Sequence, residues 1–118
     1  MPKETIDIIY NPKCSKCRGA LSRLQDRGDV EVEIREYLKE PLRKDELQEL
    51  FKSLEPISLI RQKEGAFDPW RGKVDQLSED DILAILLEHP GLLERPIVRR
   101  GDQVVIARPP ELLDQLFT

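Results

Sequence analysis

The fold is decided by residues 5–28, TIDIIYNPKCSKCRGALSRLQDRG. The isoleucine-rich residues 5–10 predict a first strand, and their largely apolar character predicts burial on both of its faces. Asn11 and Pro12 end that strand, and Gly28 is a typical stop for the helix that follows. The apolar side of this helix is predicted from residues at helical spacing, namely Cys17, Ala20, Leu21 and Leu24. The stretch therefore predicts a strand, a tight loop and a helix.

The next segments extend this start into a mixed α/β pattern. Apolar and charged residues alternate over residues 30–37, which predicts a second strand with one wet face and hence a βαβ unit. A helix is predicted over residues 47–54 from the spacing of Leu47, Leu50, Phe51 and Leu54, and a short third helix at about 57–62.

Regular patterning stops at residues 63–77, which we predict to be an ordered surface loop. Trp70 in this loop is expected to pack the connection onto the core, and the alternative is a contact with a ligand. Ser78 with Asp81 resembles a capping box and predicts the start of another apolar helix, which His89, Pro90 and Gly91 end.

The C-terminal part predicts a β-hairpin and a final helix. A turn at Gly101 and Asp102 separates two short apolar segments, residues 97–98 and 104–107, as in a hairpin. An apolar helical face follows Pro109 and Pro110, since prolines suit the first turn of a helix. We therefore expect a single α/β domain over residues 1–118, with a helical insertion at approximately 42–93.

Size, charge and cysteine content exclude several classes of protein. The 118 residues suit one domain, and a net charge of −4 without basic clusters argues against a general nucleic-acid binder. Two cysteines are too few for a disulfide-stapled secreted domain or for four thiolate ligands of zinc. No signal peptide and no apolar run of ~20 residues is apparent, so we expect a cytoplasmic protein that does not bind membranes.

The chemistry is predicted at Cys14 and Cys17, a C-x-x-C pair between a strand and a helix, as in thioredoxin-like redox proteins. A helix N-terminus with basic neighbours favours the thiolate, so Cys14 is the predicted nucleophile. Cys17 lies one turn further on, where it can close a disulfide, or else it is a small buried residue without a redox role. Zinc would need two more ligands, and His89 is the one histidine, so no metal is expected.

Four segments together resemble a known family. They are YNPKCSKCR at residues 10–18, LIRQK at 59–63, RPIV at 95–98 and RPP at 108–110. In this order and spacing they are similar to the glutaredoxin-related arsenate reductase (ArsC) family, particularly its small YfgD-like members. The resemblance covers nearly the whole chain and implies a thioredoxin-like fold.

The resemblance also implies roles for individual residues. The position of Cys14 is that of the cysteine that attacks arsenate, and Arg61, Arg95 and Arg108 match the three arginines that hold the oxyanion. Arginine suits this task because its planar fork of donors fits tetrahedral oxyanions. Asn11 is implied to contact the substrate from the same loop. Pro96 matches the cis-proline that faces the cysteine in thioredoxin-like folds, whereas base rates alone favour a trans bond.

The resemblance further implies an external thiol reductant and no bound cofactor. Family members use glutathione and glutaredoxin, with serine or another residue commonly at the position of Cys17. Cys17 instead allows a Cys14–Cys17 disulfide, which would favour thioredoxin as the reductant. Two alternatives remain open: an Spx-like redox-sensing regulator that binds RNA polymerase, and a thiol oxidoreductase without arsenate activity. The intact Arg108-Pro-Pro ending favours the reductase, which we expect to be monomeric.

Overall fold

The computed structural model describes residues 3–118, and the chain divides into two compact units. The first contains the residues up to Glu40 together with Arg95–Thr118, and the second is Pro41–Glu94. The four strands and both cysteines belong to the first unit, whereas the second is built from helices and 3₁₀ turns. No helix within residues 3–118 is long and apolar enough to cross a membrane.

The first unit contains a four-stranded mixed sheet and one α-helix. Its order along the chain is β1 (Glu4–Tyr10), α1 (Ser15–Arg27), β2 (Val30–Glu36), β3 (Ile97–Arg100) and β4 (Gln103–Ile106). The strands lie in the order β2-β1-β3-β4, with β1 parallel to β2 and antiparallel to β3. Strands β3 and β4 are antiparallel neighbours. The predicted βαβ unit and hairpin are therefore confirmed.

Strand β1 differs from its prediction in how it is buried. Ile6 and Ile8 are fully buried, but Thr5 before them and Asp7 between them are exposed, and Ile9 is half-buried. The prediction of burial on both faces is therefore wrong. Asp7 already interrupts the apolar run, and the side chains of a strand alternate between its two faces.

Helix α1 begins and ends where the sequence predicts. Gly28 adopts a left-handed φ of 73° and its N–H donates to the carbonyl of Gln25, a conformation that glycine reaches without a steric penalty. The apolar side of α1 packs into the core of this unit with residues from β1, β2, β3 and the chain end: Ile6, Ile8, Ala20, Leu24, Val30, Val98, Ala107, Leu113 and Leu116.

The last segment, Pro110–Phe117, is the predicted final helix and has 3₁₀ geometry. Its apolar face is as predicted, because Leu113 and Leu116 are buried.

The second unit contains helices α2 (Lys44–Phe51) and α3 (Glu79–Glu88) with three stretches of 3₁₀ turns. The predicted capping box is confirmed, since Ser78 Oγ accepts from the Asp81 N–H at 3.1 Å and Asp81 Oδ2 accepts from the Ser78 N–H at 2.9 Å. The turns occupy Pro56–Leu59, Gly65–Gln76 and Pro90–Leu92.

Two predictions for the second unit need correction. The short helix expected at about 57–62 is a single 3₁₀ turn, Pro56–Leu59. The expected loop over 63–77 is a run of 3₁₀ turns, Gly65–Gln76, with a break at Lys73. Such turns lack a clear sequence period, because packing rather than local propensity holds them. Trp70 there lies against buried Phe67, with ring centroids 6.1 Å apart, in agreement with a packing role.

Candidate active site

A tight turn after β1 places Cys14 at the start of α1. The Asn11 carbonyl accepts from the Cys14 N–H at 3.0 Å, and Asn11 Oδ1 accepts from the Lys13 N–H, also at 3.0 Å. Cys14 itself is the N-cap, with φ −93° and ψ 122°, and its carbonyl accepts from the Arg18 N–H at 3.0 Å. Asn11 is buried and thus shapes the loop, and its predicted contact with the substrate stays a prediction.

The Cys14 sulfur is half-buried and surrounded by hydrogen-bond donors. Burial alone would raise the pKa of this thiol, because it disfavours the charged form. The backbone N–H of Cys17 and the Arg95 guanidinium outweigh burial, with help from the Cys17 thiol and the Lys16 N–H, and lower the pKa to about 7. A large fraction of Cys14 is therefore thiolate at neutral pH.

Cys17 is fully buried, and both cysteines are free thiols. Burial raises the pKa of Cys17 to about 12, against the backbone of Asn11, which lowers it; the neighbouring Cys14 raises it further. Cys17 therefore stays protonated and donates to the Cys14 sulfur. It belongs to the apolar side of α1, as predicted, and also lies in direct contact with the nucleophile.

Two of the three predicted arginines lie at Cys14. Arg108 Nη1 is 3.7 Å from the Cys14 sulfur and donates to the Arg95 carbonyl at 3.0 Å. The Arg95 guanidinium also hydrogen-bonds the sulfur. Two guanidinium groups and the N-terminus of α1 thus converge on one thiol, a donor set that suits a tetrahedral oxyanion.

The register of the hairpin explains why these two arginines meet. Ile97 pairs with Ile106, and counting outwards along an antiparallel pair places residue 95 opposite residue 108. The Ala107 N–H donates to the Pro96 carbonyl at 2.9 Å and holds the two segments together. The sequence already contained this signal, since a turn centred between Gly101 and Asp102 implies the same pairing.

Both arginines precede a cis peptide bond. The Arg95–Pro96 bond is cis, which is the conformation that the resemblance implied for Pro96. The Arg108–Pro109 bond is cis as well, and no sequence argument pointed to it.

Arg61 and His89 belong to the second unit. Arg61 Nη1 lies 2.7 Å from Glu64 Oε1, and its Nε lies 3.7 Å from Glu94 Oε1. The part of Arg61 in oxyanion binding stays a prediction.

His89 follows α3 with its ring edge-on to Trp70, 5.7 Å between centroids. Across residues 3–118, no three or more His, Cys, Asp or Glu residues are grouped as metal ligands.

Comparison with known proteins assigns the family. The sequence model of the ArsC family matches residues 9–116. The chain belongs to the ArsC family. Among its relatives, an arsenate reductase of Neisseria meningitidis serogroup A is 36% identical over 115 residues, covering 95% of this chain and 97% of the relative. YfgD of Escherichia coli is 38% identical over 109 residues, covering 90% and 91%.

A solved structure supports the same assignment. Arsenate reductase from Vibrio cholerae superposes with a TM-score of 0.88 at 33% identity, covering 97% of this chain and 98% of the other. The predicted thioredoxin-like α/β fold of this ArsC-family protein is thereby confirmed.

Gly19 is a residue of the site that the sequence did not indicate. A Cβ atom at this position of α1 would lie 3.3 Å from Cγ of Pro110, closer than such atoms ordinarily come. Pro110 follows two residues after Arg108 in the chain. The missing side chain at Gly19 therefore lets the segment that carries Arg108 close against α1 near Cys14.

The alkylation rate of Cys14 is expected to follow the thiolate. Because the pKa is about 7, the rate should rise about tenfold per pH unit below pH 7 and level off above it. Iodoacetamide alkylation from pH 5 to 10, with the modified residue identified by mass spectrometry, measures this. Buried Cys17 should stay unmodified over the range. A midpoint near 9, the ordinary value for cysteine, would contradict the assignment.

Gly19→Ala should raise the pKa of the Cys14 thiol without lowering the thermal stability of the protein. Alanine favours the helix by ~1 kcal/mol, so the variant should unfold at the same or a higher temperature. The added methyl pushes on Pro110 and weakens the contact of Arg108 with the sulfur. A loss of ~0.5–1 kcal/mol there moves the Cys14 midpoint upward by several tenths of a pH unit. Thiolate absorbance at 240 nm measures the midpoint, and Ser22→Ala, on an exposed position of α1, is the control. An unchanged midpoint would refute the role of Gly19.

Proposed function

We propose that this protein reduces arsenate to arsenite through a covalent intermediate on Cys14. The observation that carries the proposal is the convergence of Arg95, Arg108 and the N-terminus of α1 on the Cys14 sulfur. Relatives at about one-third identity over nearly their whole length are named arsenate reductases, and arsenate is a tetrahedral oxyanion of the kind these donors fit.

The first step is attack of the Cys14 thiolate on arsenic(V). A sulfur–arsenic bond forms, and one arsenate oxygen takes up protons and leaves as water. The guanidinium donors of Arg95 and Arg108 hold the remaining oxygens and stabilise the negative charge on them. We also propose that Arg61 and Asn11 bind the substrate, on the basis of the resemblance to the ArsC family.

The second step transfers two electrons to arsenic. A second thiol attacks the Cys14 sulfur, a disulfide forms, and the electron pair of the sulfur–arsenic bond stays with arsenic, which leaves as arsenite. Cys17 is the proposed second thiol because it contacts the Cys14 sulfur directly. The negative charge of Cys14 is one cause of the raised pKa of Cys17, and forming the adduct removes that charge. Thioredoxin or glutaredoxin then reduces the Cys14–Cys17 disulfide.

Arsenate-dependent NADPH oxidation tests the proposal with two reductant systems supplied separately. One contains thioredoxin and its reductase, and the other contains glutathione, glutaredoxin and glutathione reductase. Wild type should turn over with the thioredoxin system, and Cys17→Ser should lose that activity at least tenfold because it cannot form the internal disulfide. Ser15→Ala, an exposed neighbour, should behave as wild type. Absence of arsenate-dependent turnover in both systems would disprove the reductase function.

Retained thioredoxin-coupled activity in Cys17→Ser would remove only the internal disulfide step. A thiol of thioredoxin would then be the second thiol, because that system contains no glutathione. The nucleophilic role of Cys14 does not depend on that outcome.

A further inference from the structure

The donors that would hold an oxyanion already donate hydrogen bonds to the Cys14 sulfur. Arg108 Nη1 approaches it to 3.7 Å, and the Arg95 guanidinium and the backbone N–H groups of Lys16 and Cys17 hydrogen-bond it. We call these four donors the oxyanion cradle. An oxyanion bound there would therefore have to share them with the thiolate. Both carry negative charge, so they also repel each other at contact distance.

Oxidation removes this competition. When Cys14 and Cys17 form a disulfide, the two thiols release two protons and pass two electrons to an oxidant, which is arsenic(V) in the proposed reaction. The Cys14 sulfur then bears no charge, whereas both arginines keep theirs at any pH in the working range. The half-buried position of Cys14 limits screening by solvent, so the loss of one charge changes the local potential strongly.

We infer that the oxidised and reduced forms of this site differ in affinity for tetrahedral oxyanions, and that the disulfide form binds inorganic phosphate more tightly than the thiolate form does. The inference rests on the oxyanion cradle of the proposed function and adds a regulation of that site. Phosphate resembles arsenate in shape and charge, and it would occupy the cradle after arsenite leaves and before the disulfide is reduced. It would stabilise the disulfide and slow its reduction by the external dithiol.

Calorimetric titration with sodium phosphate tests this directly at pH 8 and constant ionic strength. The oxidised protein should bind phosphate at least tenfold more tightly than the reduced protein. Cys14→Ser, which puts a neutral oxygen in place of the thiolate, should bind like the oxidised form without needing a disulfide. Arg108→Gln should weaken binding in both states, and Arg99→Gln should not, because Arg99 Nε donates to the Gly101 carbonyl in the hairpin turn.

The redox midpoint gives an independent measure. A ligand that prefers the oxidised state makes reduction harder, so phosphate should shift the Cys14–Cys17 midpoint to more negative values. A tenfold preference corresponds to about 30 mV for this two-electron couple. Equilibration with dithiothreitol buffers, with and without phosphate, measures the shift.

Equal phosphate affinity in both states would overturn the inference, and so would failure of the two cysteines to form a disulfide with excess oxidised dithiothreitol. Lack of phosphate binding in every form would overturn it as well. These outcomes are distinct from failure of the proposed function. Arsenate turnover together with equal phosphate affinities in both redox states would support the reductase function and contradict only the inference. A tenfold difference in phosphate affinity without arsenate turnover would support the inference and contradict only the reductase function.

Discussion

Cys14→Ser should lower arsenate-dependent turnover by about 10³-fold or more, with either reductant system. Serine has a similar shape but its hydroxyl does not ionise near neutral pH, so the donors around it have no nucleophile to activate. The fold should persist, because the sulfur is only half-buried and the turn that places it uses backbone groups and the Asn11 side chain. Steady-state NADPH oxidation measures the loss, and circular dichroism checks the fold.

The comparison with Cys17→Ser makes the Cys14 experiment specific. Both substitutions replace one thiol by a hydroxyl at the N-terminal end of α1, where Cys14 is the N-cap and Cys17 lies in the first turn, but only the first removes the thiolate. If Cys14→Ser retained more than a few per cent of wild-type turnover, the covalent mechanism at this residue would be wrong. Mass spectrometry of the wild type mixed with arsenate, in the absence of a reductant, should also detect the disulfide as a loss of two hydrogens.

Arg108→Gln should reduce kcat/KM for arsenate by about 10²–10³-fold. The guanidinium of Arg108 contacts both the Cys14 sulfur and the Arg95 carbonyl, so it both holds the reacting sulfur and links the two arginine-bearing segments. Glutamine keeps a donor but removes the charge that stabilises the oxyanion during attack. Initial rates over a range of arsenate concentrations separate the effect on kcat from that on KM.

Two further arginine variants sharpen this result. Arg108→Lys keeps the charge but loses the planar fork, and it should recover only part of the activity. Arg99→Gln changes another arginine of the same hairpin, which donates to the Gly101 carbonyl, and it should stay within about threefold of wild type. Equal losses in Arg99→Gln and Arg108→Gln would mean that general charge, and not the position at Cys14, governs the rate.

Much of the candidate site was readable from local patterns. The Cys14 position follows from a strand, an Asn-Pro turn and a helix with a glycine stop, all short-range features with known backbone preferences. The pairing of residues 95 and 108 follows from the hairpin turn, because an antiparallel register is set by its centre. The burial of β1 was mispredicted, since which face of a strand is covered depends on distant segments.

The 3₁₀ turns of Gly65–Gln76 and Pro110–Phe117 show the limit of sequence periodicity most clearly. The first segment lacks regular patterning and suggests a loop, whereas the apolar spacing of the second suggests a helix. Packing against the rest of each unit selects the tighter 3₁₀ geometry in both. Gly19 is a second case. Its sequence context is an ordinary helix, and only the approach of Pro110 shows what the absent side chain permits.

By itself, the sequence determined the order of strands and helices, the placement of a nucleophilic cysteine at a helix N-terminus, and the set of arginines from which a cradle could be built. These follow from local backbone preferences and charge. The tertiary structure decided which of the arginines contact the Cys14 sulfur, and how the two cysteines differ. Arg95, Arg108 and the N-terminus of α1 stabilise the thiolate of half-buried Cys14. Burial in the core keeps the Cys17 thiol protonated. The first effect depends on contacts between segments far apart in the chain, since Arg108 lies 94 residues from Cys14, and the second depends mainly on burial.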